Sequence, residues 1–289
     1  MRNIIRIISL VIVVAMVATL LVAFTGCDNK KDANKLYVGL ECAYAPFNYT
    51  LSTQIEGSLP IYNSNYAQQP NAYAYGYDVQ IAQAIAKSMG KELVIVKMEW
   101  DALIPAVNAG TIDMIIAGMS PTAERKKSID FSSNYYESNL VVVVRKDGAY
   151  ASATQLSDLS GAKIVAQNGT FHNDALQAQA ATYGISAQTP MADFPAMINA
   201  LNTKAVDGYI AEEPGAIENC ASNSDFTYIK LSNNTTGFTA SEEDTAIAVG
   251  VKKGNSILAG INTALAAITP AQREAMMQAA ITQSAGAVE

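Results

Sequence analysis

The chain alternates between two periodicities of apolar residues. Short apolar runs predict buried strands, whereas apolar residues recurring every three or four positions predict amphipathic helices. The segment from Asp78 to Met89, for example, places Val79, Ala82 and Ile85 on one face and stops at Gly90. Such strands and helices follow one another in turn, which is typical of an α/β protein with a parallel sheet.

The first run of elements predicts one α/β lobe. It contains strands at 36–40, 93–96 and 114–117 and helices at 78–89 and 101–109. Between them, Asn48–Gly76 is rich in Tyr, Asn, Gln and Ser and shows little periodicity, so we expect a long surface excursion without an assigned structure.

A second run predicts another lobe and a return to the first. The predicted strands are 140–145, 163–166, 208–211, 228–231 and 245–251, and the predicted helices are 175–183, 196–202, 215–220, 257–267 and 271–281. The strand at 140–145 leads into the second lobe, and the strand at 245–251 crosses back, so the last two helices pack on the first lobe. Two crossing strands predict a hinge.

An internal repeat supports this division into lobes. At an offset of 94 positions, Trp100–Asp113 lies over Phe194–Asp207, and the strands that follow also align. These strands end at Gly118 and Glu212. Because ligands of open α/β sheets bind beyond the carboxyl ends of strands, both residues are expected to face a cleft between the lobes.

The stretch after the third strand predicts an anion site. An apolar strand ends at Gly118, and Ser120, Pro121 and Thr122 are typical of a helix start. A helix start presents free N–H groups and the positive end of the helix dipole. Arg125, one turn into this predicted helix, adds a fork of donors that suits a carboxylate or phosphate.

A purely structural interpretation of the same stretch stays open. Arg125 would then form an ordinary surface ion pair with Asp130 or Glu124, and Ser120 or Thr122 would serve only as an N-cap. The preceding glycine would be no more than a turn residue.

Together the two cleft walls suit a ligand that carries both charges. Arg125 on the first lobe favours a carboxylate, and Glu212 on the second favours an ammonium group. An α-amino acid has both groups close together, so it would bridge the lobes and hold them closed.

The amino terminus indicates export. Arg2 and Arg6 precede an apolar run from Ile7 to Phe24, and small residues then lead to Cys27. This is the pattern of a bacterial lipoprotein signal in which Cys27 receives the lipid, although an uncleaved membrane anchor is an alternative. The expected divisions are a signal peptide at 1–26, a tether at 27–35, lobe one at 36–140, lobe two at 141–244, and the return strand with the final helices at 245–289.

Charge and cysteine content narrow the function further. Without Arg2 and Arg6, 17 basic residues stand against 26 acidic ones, and this excess of negative charge disfavours nucleic-acid binding. The two remaining cysteines, Cys42 and Cys220, lie in different predicted lobes. They could pair in an oxidising compartment, but we expect two free, buried thiols, with no metal and no cofactor.

Several motifs resemble one known family over essentially the whole mature region. They are Glu41…Tyr44–Phe47, Gly76–Val79, Trp100–Pro105, Ile112–Arg125, Asp130–Ser132, Tyr135–Tyr136, Gln167–Thr170 and Val206–Asp207. The chain is similar to the extracellular solute-binding proteins of family 3, which feed polar amino acids to ABC importers. The resemblance implies a type II periplasmic-binding-protein fold. It also implies a lipid-anchored monomer that binds an L-amino acid and delivers it to the permease subunits of an ABC transporter.

The resemblance also implies roles for individual residues. In the family, positions matching the Gly118 backbone, Ser120 and Arg125 hold the ligand carboxylate. The position matching Glu212 holds the ammonium group, with Glu here where Asp is common. The position matching Thr170 contributes a hydroxyl, whereas a second hydroxyl is missing at Phe171, where only the backbone N–H could serve.

Three further positions concern the ligand side chain. Those matching Tyr44 and Trp100 line its pocket, although Trp100 could instead fill the core. An acid at the position matching Glu41 suggests a cationic side chain, as in arginine, lysine or histidine, stacked on an aromatic ring. Alternatively, Glu41 bonds a backbone group or a water in the cleft wall.

Two other functions compete with transport. Some dehydratases that act on cyclic dicarboxylates resemble the same fold, and Glu212 could act there as a general acid. The chain lacks a nucleophile motif, and its single histidine, His172, is expected to be a polar loop residue. A ligand-sensing module for a membrane receptor would use the same cleft.

Overall fold

The computed structural model describes residues 31–286, which form two sheets flanked by helices. The strands in chain order are β1 (Lys35–Leu40), β2 (Ala43–Tyr44), β3 (Asn48–Leu51), β4 (Leu59–Tyr62), β5 (Gln68–Tyr75), β6 (Glu92–Lys97), β7 (Met114–Ile115), β8 (Ile129–Glu137), β9 (Leu140–Arg145), β10 (Lys163–Val165), β11 (Ser186–Ala187), β12 (Gly208–Glu212), β13 (Phe226–Ile229) and β14 (Ala246–Lys252). The helices are α1 (Tyr77–Ser88), α2 (Leu103–Ala109), α3 (Phe171–Tyr183), α4 (Phe194–Asn202), α5 (Glu213–Ser222), the single turn α6 (Glu242–Thr245), α7 (Ile257–Ala266) and α8 (Pro270–Gly286).

The larger sheet forms the first lobe. Its nine strands lie in the order β2-β3-β5-β4-β6-β1-β7-β14-β8. The centre is parallel, since β6 and β7 both pair with β1 in parallel, and β14 and β8 close one edge in antiparallel pairing. Because parallel central strands are covered on both faces, their inner residues are apolar, and Leu36, Val38 and Leu40 of β1 are almost fully buried.

The smaller sheet forms the second lobe. Its five strands lie in the order β11-β10-β12-β9-β13, with β10 parallel to β11 and β12, and β9 antiparallel to both of its neighbours. The chain enters this sheet between Glu137 and Leu140 and returns to the larger sheet between Ile229 and Ala246. Ser138 donates its backbone N–H to the carbonyl of Thr245 at 3.2 Å, which joins the two crossing segments.

The internal repeat has a matching structure in the two lobes. In the first, Asp113 follows α2, accepts the N–H of Tyr37 at 2.9 Å and donates its own N–H to the Tyr37 carbonyl at 2.8 Å. In the second, Asp207 follows α4 and exchanges the same two bonds with Lys163, at 2.9 and 2.8 Å. In each lobe the aspartate therefore ties the helix–strand unit to the start of the neighbouring parallel strand.

The structure differs from the sequence expectations in several segments. Asn48–Gly76 is not an irregular excursion, because it contributes β3, β4 and β5 to the larger sheet. The long edge strand β8 lies where the sequence predicts no strand. β1 begins at Lys35, a residue that the sequence placed in the tether. The expected helix after Ser120 is wrong, since only a 3-10 turn at Arg125–Lys127 forms there.

Cys42 and Cys220 are both free thiols, as expected from their separation between lobes. Cys42 is buried, but Cys220 is only half-buried, which corrects the expectation of two buried thiols. Within residues 31–286, the structure contains no helix with the length and apolarity needed to cross a bilayer. Cys27 and the apolar run before it lie outside the described residues.

Candidate functional site

A small cavity lies where the two lobes meet. All nine residues that the sequence and the resemblance assigned to ligand binding line it: Glu41, Tyr44, Trp100, Gly118, Ser120, Arg125, Thr170, Phe171 and Glu212. Four further residues line it that were not assigned: Ala117, Gln167, His172 and Phe194.

Arg125 presents a cation to this cavity. Its Nη1 donates to the carbonyl of Ser120 at 2.8 Å, and its Nη2 donates to the carbonyl of Gly169 in the other lobe at 3.0 Å. The guanidinium also lies over the Trp100 ring, 5.1 Å from its centroid. Burial lowers the pKa of Arg125 to about 10, which leaves the side chain charged at neutral pH.

Arg125 makes none of the ion pairs found among residues 31–286. The partners that the structural interpretation offered are engaged elsewhere, since Glu124 pairs with Lys127 and Asp130 lies 3.9 Å from Lys253. Arg125 is therefore a half-buried cation held by neutral groups. A carboxylate of a ligand is the natural complement to such a group.

The helix N-terminus at the cavity belongs to lobe two. Thr170 caps α3, because its Oγ1 accepts the N–H of Asn173 at 3.4 Å and donates to the carbonyl of Gln167 at 2.7 Å. The first amides of a helix have no partner within the helix, so Phe171 begins a set of donors with the positive end of the dipole. The anion-attracting helix end expected after Ser120 is thus supplied from the opposite wall.

Gly118 serves the cavity through its conformation. Its φ of 63° is left-handed, and a Cβ there would lie 3.1 Å from the Tyr44 ring, so only glycine fits without strain. Behind it, the buried carboxyl of Asp78 accepts hydrogen bonds from the Tyr135 hydroxyl at 2.7 Å and from the Asn48 amide at 2.8 Å.

Glu212 ends β12 at the opposite wall and is 5 % exposed. Its Oε1 lies 2.9 Å from Nε2 of His172, while Oε2 is buried without a partner in the described structure. His172, which is 6 % exposed and lies in the first turn of α3, is not the polar loop residue that the sequence suggested. Burial raises the pKa of Glu212, and burial with the nearby Arg125 charge lowers that of His172.

The side-chain end of the cavity is polar on one side and aromatic on the other. Glu41 accepts from Nε2 of Gln167 across the cleft at 2.8 Å, and burial raises its pKa to about 8. Tyr44 stacks on Phe194 of the other lobe, with ring centroids 4.1 Å apart and planes at 15°. Trp100 bonds the Gly169 carbonyl at 3.1 Å. Direct contacts between the lobes therefore show a closed cleft.

Phe194 could have been found from the sequence, because the internal repeat places it over Trp100. Gln167 belongs to the glycine turn that ends at Thr170. Because Thr170 is an expected ligand-binding residue, the sequence also indicates that Gln167 lies near the cavity. The contact between His172 and Glu212 had no sequence signal, since 40 positions separate the two residues.

Two α/β lobes that close on a cavity with opposite charges on its walls define a class of two-lobed binding proteins for small ligands. A comparison with family models agrees with this class. Residues 55–279 match the bacterial extracellular solute-binding proteins, family 3, and the chain belongs to that family.

The sequences of individual amino-acid-binding proteins also match this chain. An arginine-binding extracellular protein, ArtP, of Bacillus subtilis is 30 % identical over 57 % of this chain and 58 % of its own length. The chain thus spans less than two thirds of that relative. The L-cystine-binding protein TcyJ of Escherichia coli is 27 % identical over 93 % of this chain and 91 % of its own length.

Solved structures confirm the expected fold. The substrate-binding protein AbpA of an amino-acid ABC transporter from Streptococcus pneumoniae, bound to L-arginine, superposes with a TM-score of 0.70 at 25 % identity. That comparison covers 87 % of this chain and 96 % of the other. The type II periplasmic-binding-protein fold inferred from the resemblance is confirmed.

Proposed function

We propose that this protein is the substrate-binding component of an ABC importer and captures an α-amino acid between its two lobes. The observation that carries the proposal is that two groups line one cavity: Arg125, a cation without a carboxylate partner among residues 31–286, and Glu212, a carboxyl with one oxygen that is unpaired in the same part of the chain. An α-amino acid supplies the carboxylate and the ammonium group that complement them.

Donors from both lobes would meet the ligand carboxylate. Arg125 and Ser120 reach it from lobe one, and the Phe171 N–H at the start of α3 reaches it from lobe two, with Thr170 fixing that turn. Hydrogen bonds to charged groups are worth about 1.5–3 kcal/mol each, so a few such bonds support a micromolar complex after the cost of association. A ligand that contacts both lobes stabilises the closed arrangement.

For the ligand side chain, we infer an aromatic pocket with an acidic end. Tyr44 and Trp100 line the aromatic side of this pocket, and the Glu41 carboxylate at its end would bind a cationic side chain in place of its present bond to Gln167. The arginine named for the Bacillus and Streptococcus relatives agrees with this choice, whereas the cystine named for the Escherichia relative requires no cation.

The setting follows from the family and the amino terminus. The family is extracellular, and we propose that Cys27 carries a lipid that anchors a monomer to the outer face of the cell membrane, where it meets the permease subunits. Metabolic labelling with a fatty acid would then mark the wild-type protein but not Cys27→Ala, whereas an uncleaved anchor would leave both unlabelled.

Thermal unfolding of the purified protein with each common amino acid tests the binding proposal. Prior unfolding and refolding removes any ligand that co-purified. A ligand at about 100 times its dissociation constant stabilises by about 2.7 kcal/mol, which raises the midpoint visibly. A rise confined to arginine, lysine or histidine supports Glu41 as the selector. A rise with other amino acids places Glu41 in the cleft wall, and no rise with any contradicts the proposal.

A further inference from the structure

The pairing of His172 with Glu212 exceeds what amino-acid binding requires of the second lobe. Glu212 alone would provide a negative charge for an ammonium group. Instead, two nearly fully buried side chains from different elements, the first turn of α3 and the end of β12, meet at 2.9 Å. Neither residue is bonded to any other side chain in the described structure, so the pair is an isolated unit on the cavity wall.

The pair leaves two buried polar atoms unsatisfied. Oε2 of Glu212 and Nδ1 of His172 have no hydrogen-bond partner among the described residues, and both residues line the cavity. An unpaired buried polar atom is costly, and more so when it belongs to a charged group. A donor brought by a ligand would satisfy the Glu212 oxygen at the moment of binding.

We infer that His172 is a positioning residue for the ammonium site: its Nε2–H holds Oε1 of Glu212, so that Oε2 is left to accept the α-ammonium group of the ligand. The inference rests on the proposed function. A free glutamate has three rotatable bonds and two equivalent oxygens, so a fixed bond to one oxygen removes alternatives that would otherwise oppose binding.

A neutral histidine suits this task better than a basic side chain. Burial, and after it the nearby Arg125 charge, lowers the pKa of His172, so that its ring is neutral; the ring meets that of Phe194 in a T-shaped contact, 6.4 Å between centroids at 85°. A neutral donor leaves the charge of an ionised Glu212 uncompensated, so it remains available to the ammonium. A lysine or arginine there would neutralise the carboxylate and repel the ligand.

Two replacements of His172 separate positioning from mere packing. His172→Phe keeps an aromatic ring but removes the donor, whereas His172→Gln keeps a donor of similar reach. Asn173→Ala, in the same helical turn but outside the cavity, is the matched control. The probes are L-arginine and its α-hydroxy analogue, in which a hydroxyl replaces the ammonium group, with L-glutamine and its α-hydroxy analogue as the second pair.

Titration calorimetry then measures whether the loss of affinity in each variant depends on the ammonium group of the ligand. We expect His172→Phe to weaken amino-acid binding about 10- to 100-fold, because a bond to a charged group is lost, and to weaken the α-hydroxy analogue less than about threefold. His172→Gln should restore most of the affinity, and Asn173→Ala should change neither probe. Equal losses for both probes, or no loss for either, would overturn the inference.

A second measurement needs no ligand. His172 is the only histidine in the chain, so its ring nitrogens are identified in a ¹⁵N NMR spectrum without assignment. We expect the ring to stay neutral well below the usual histidine pKa of about 6.5, and its signals to shift in Glu212→Gln. A ring that titrates normally and ignores Glu212→Gln overturns the pairing. Failure of the wild-type protein to bind any amino acid would instead contradict the proposed function.

Discussion

At the scale of single residues, the cavity combines groups that are costly to bury unless something complements them. Within the described residues, Arg125 has carbonyl partners but no carboxylate, and Glu212 has one oxygen bonded to His172 and one without a partner. Such arrangements are retained at binding sites because the complement arrives with the ligand. In a core without a binding function, the same buried groups would only lower the stability of the fold.

Replacement of Arg125 by Met should abolish most binding without unfolding the protein. The methionine keeps the apolar stem but removes the fork of donors, so amino-acid affinity should fall by about 100-fold or more. Isothermal titration calorimetry measures the loss. Lys253→Met, a change at an exposed ion pair away from the cavity, is the control, and similar effects of the two variants would contradict the assigned role of Arg125.

The strain at Gly118 is also open to measurement. Gly118→Ala forces a left-handed φ on alanine and presses Cβ against Tyr44, whose ring is held between Phe47 and Phe194. Gly254→Ala has a similar φ of 70° but open space around the new Cβ, so it reports the cost of φ alone. We expect about 1 kcal/mol of destabilisation for Gly254→Ala and about 1–3 kcal/mol more for Gly118→Ala.

Chemical denaturation of both glycine variants, without ligand, gives the comparison. Equal losses of stability would show that the Tyr44 ring yields to the methyl group, and the ring would then not be a fixed wall of the cavity.

At the scale of elements, the same unit is built twice and joined to its sheet by the same bonds. The unit of α2 and β7 uses Asp113, and the unit of α4 and β12 uses Asp207, each exchanging two hydrogen bonds with the start of a neighbouring strand. The repeat therefore places Gly118, which follows β7, and Glu212, which ends β12, at matching positions of the two lobes, where both face the cleft. It also explains why Trp100 and Phe194 both reach the cavity.

The hydrogen bond between Asp207 and Lys163 should contribute measurably to the stability of the second lobe. Asp207→Ala leaves the N–H of Lys163 without its side-chain acceptor at the start of β10, and we expect a loss of about 1 kcal/mol of unfolding free energy. Urea denaturation measures the loss. Asp225→Ala, at an exposed aspartate of the same lobe, is the control because the Asp225 carboxylate makes no hydrogen bond within the described part of the chain. A loss no greater than the control's would contradict this role.

Local sequence signals predict some helices correctly, whereas tertiary contacts override such signals in one segment. α1 is predictable from its apolar face and the glycine after it, and α3 has a threonine cap that the turn Gln167–Thr170 indicates. The expected helix after Ser120 failed, although its start signals are good. Arg125 instead turns back to bond the Ser120 carbonyl and the opposite lobe, so its side chain serves the cleft.

At the scale of the whole molecule, the closed cleft buries carboxyl groups whose ionisation opposes folding. The pKa of Glu41 is raised to about 8 by burial, and burial also raises the pKa of Glu212. A carboxyl with a raised folded-state pKa contributes stability below its unfolded pKa, and that contribution is lost as pH rises through the folded value. His172, whose pKa is lowered, acts in the opposite direction, but its contribution is complete above about pH 6.5.

The ligand-free protein should therefore lose stability between about pH 6.5 and pH 8. The slope should be at most about 1.4 kcal/mol per pH unit for each of the two carboxyls, and denaturant titrations at several pH values measure it. Glu41→Gln and Glu212→Gln should each flatten the profile, whereas Glu124→Gln, at an exposed residue, should not. A stability that is constant or rises over this range would contradict the burial of these carboxyls in solution.

The sequence by itself determined the parts that depend on local periodicity and on residue identity. The alternation of strands and helices, the repeat, and the charged and aromatic residues of the cleft are all legible along the chain. The resemblance added a fold that the solved structures confirm. The nine assigned residues meet at one cavity because strand ends that are similar in sequence lie at matching edges of two sheets.

Only the tertiary structure decided the contacts between residues distant in sequence. The strands within Asn48–Gly76 lack a local pattern because their partners in the larger sheet, not their own periodicity, hold them extended. Glu41 and Gln167 are 126 positions apart, and His172 and Glu212 are 40 apart. Their meeting depends on how two lobes pack, and no spacing along a chain records that.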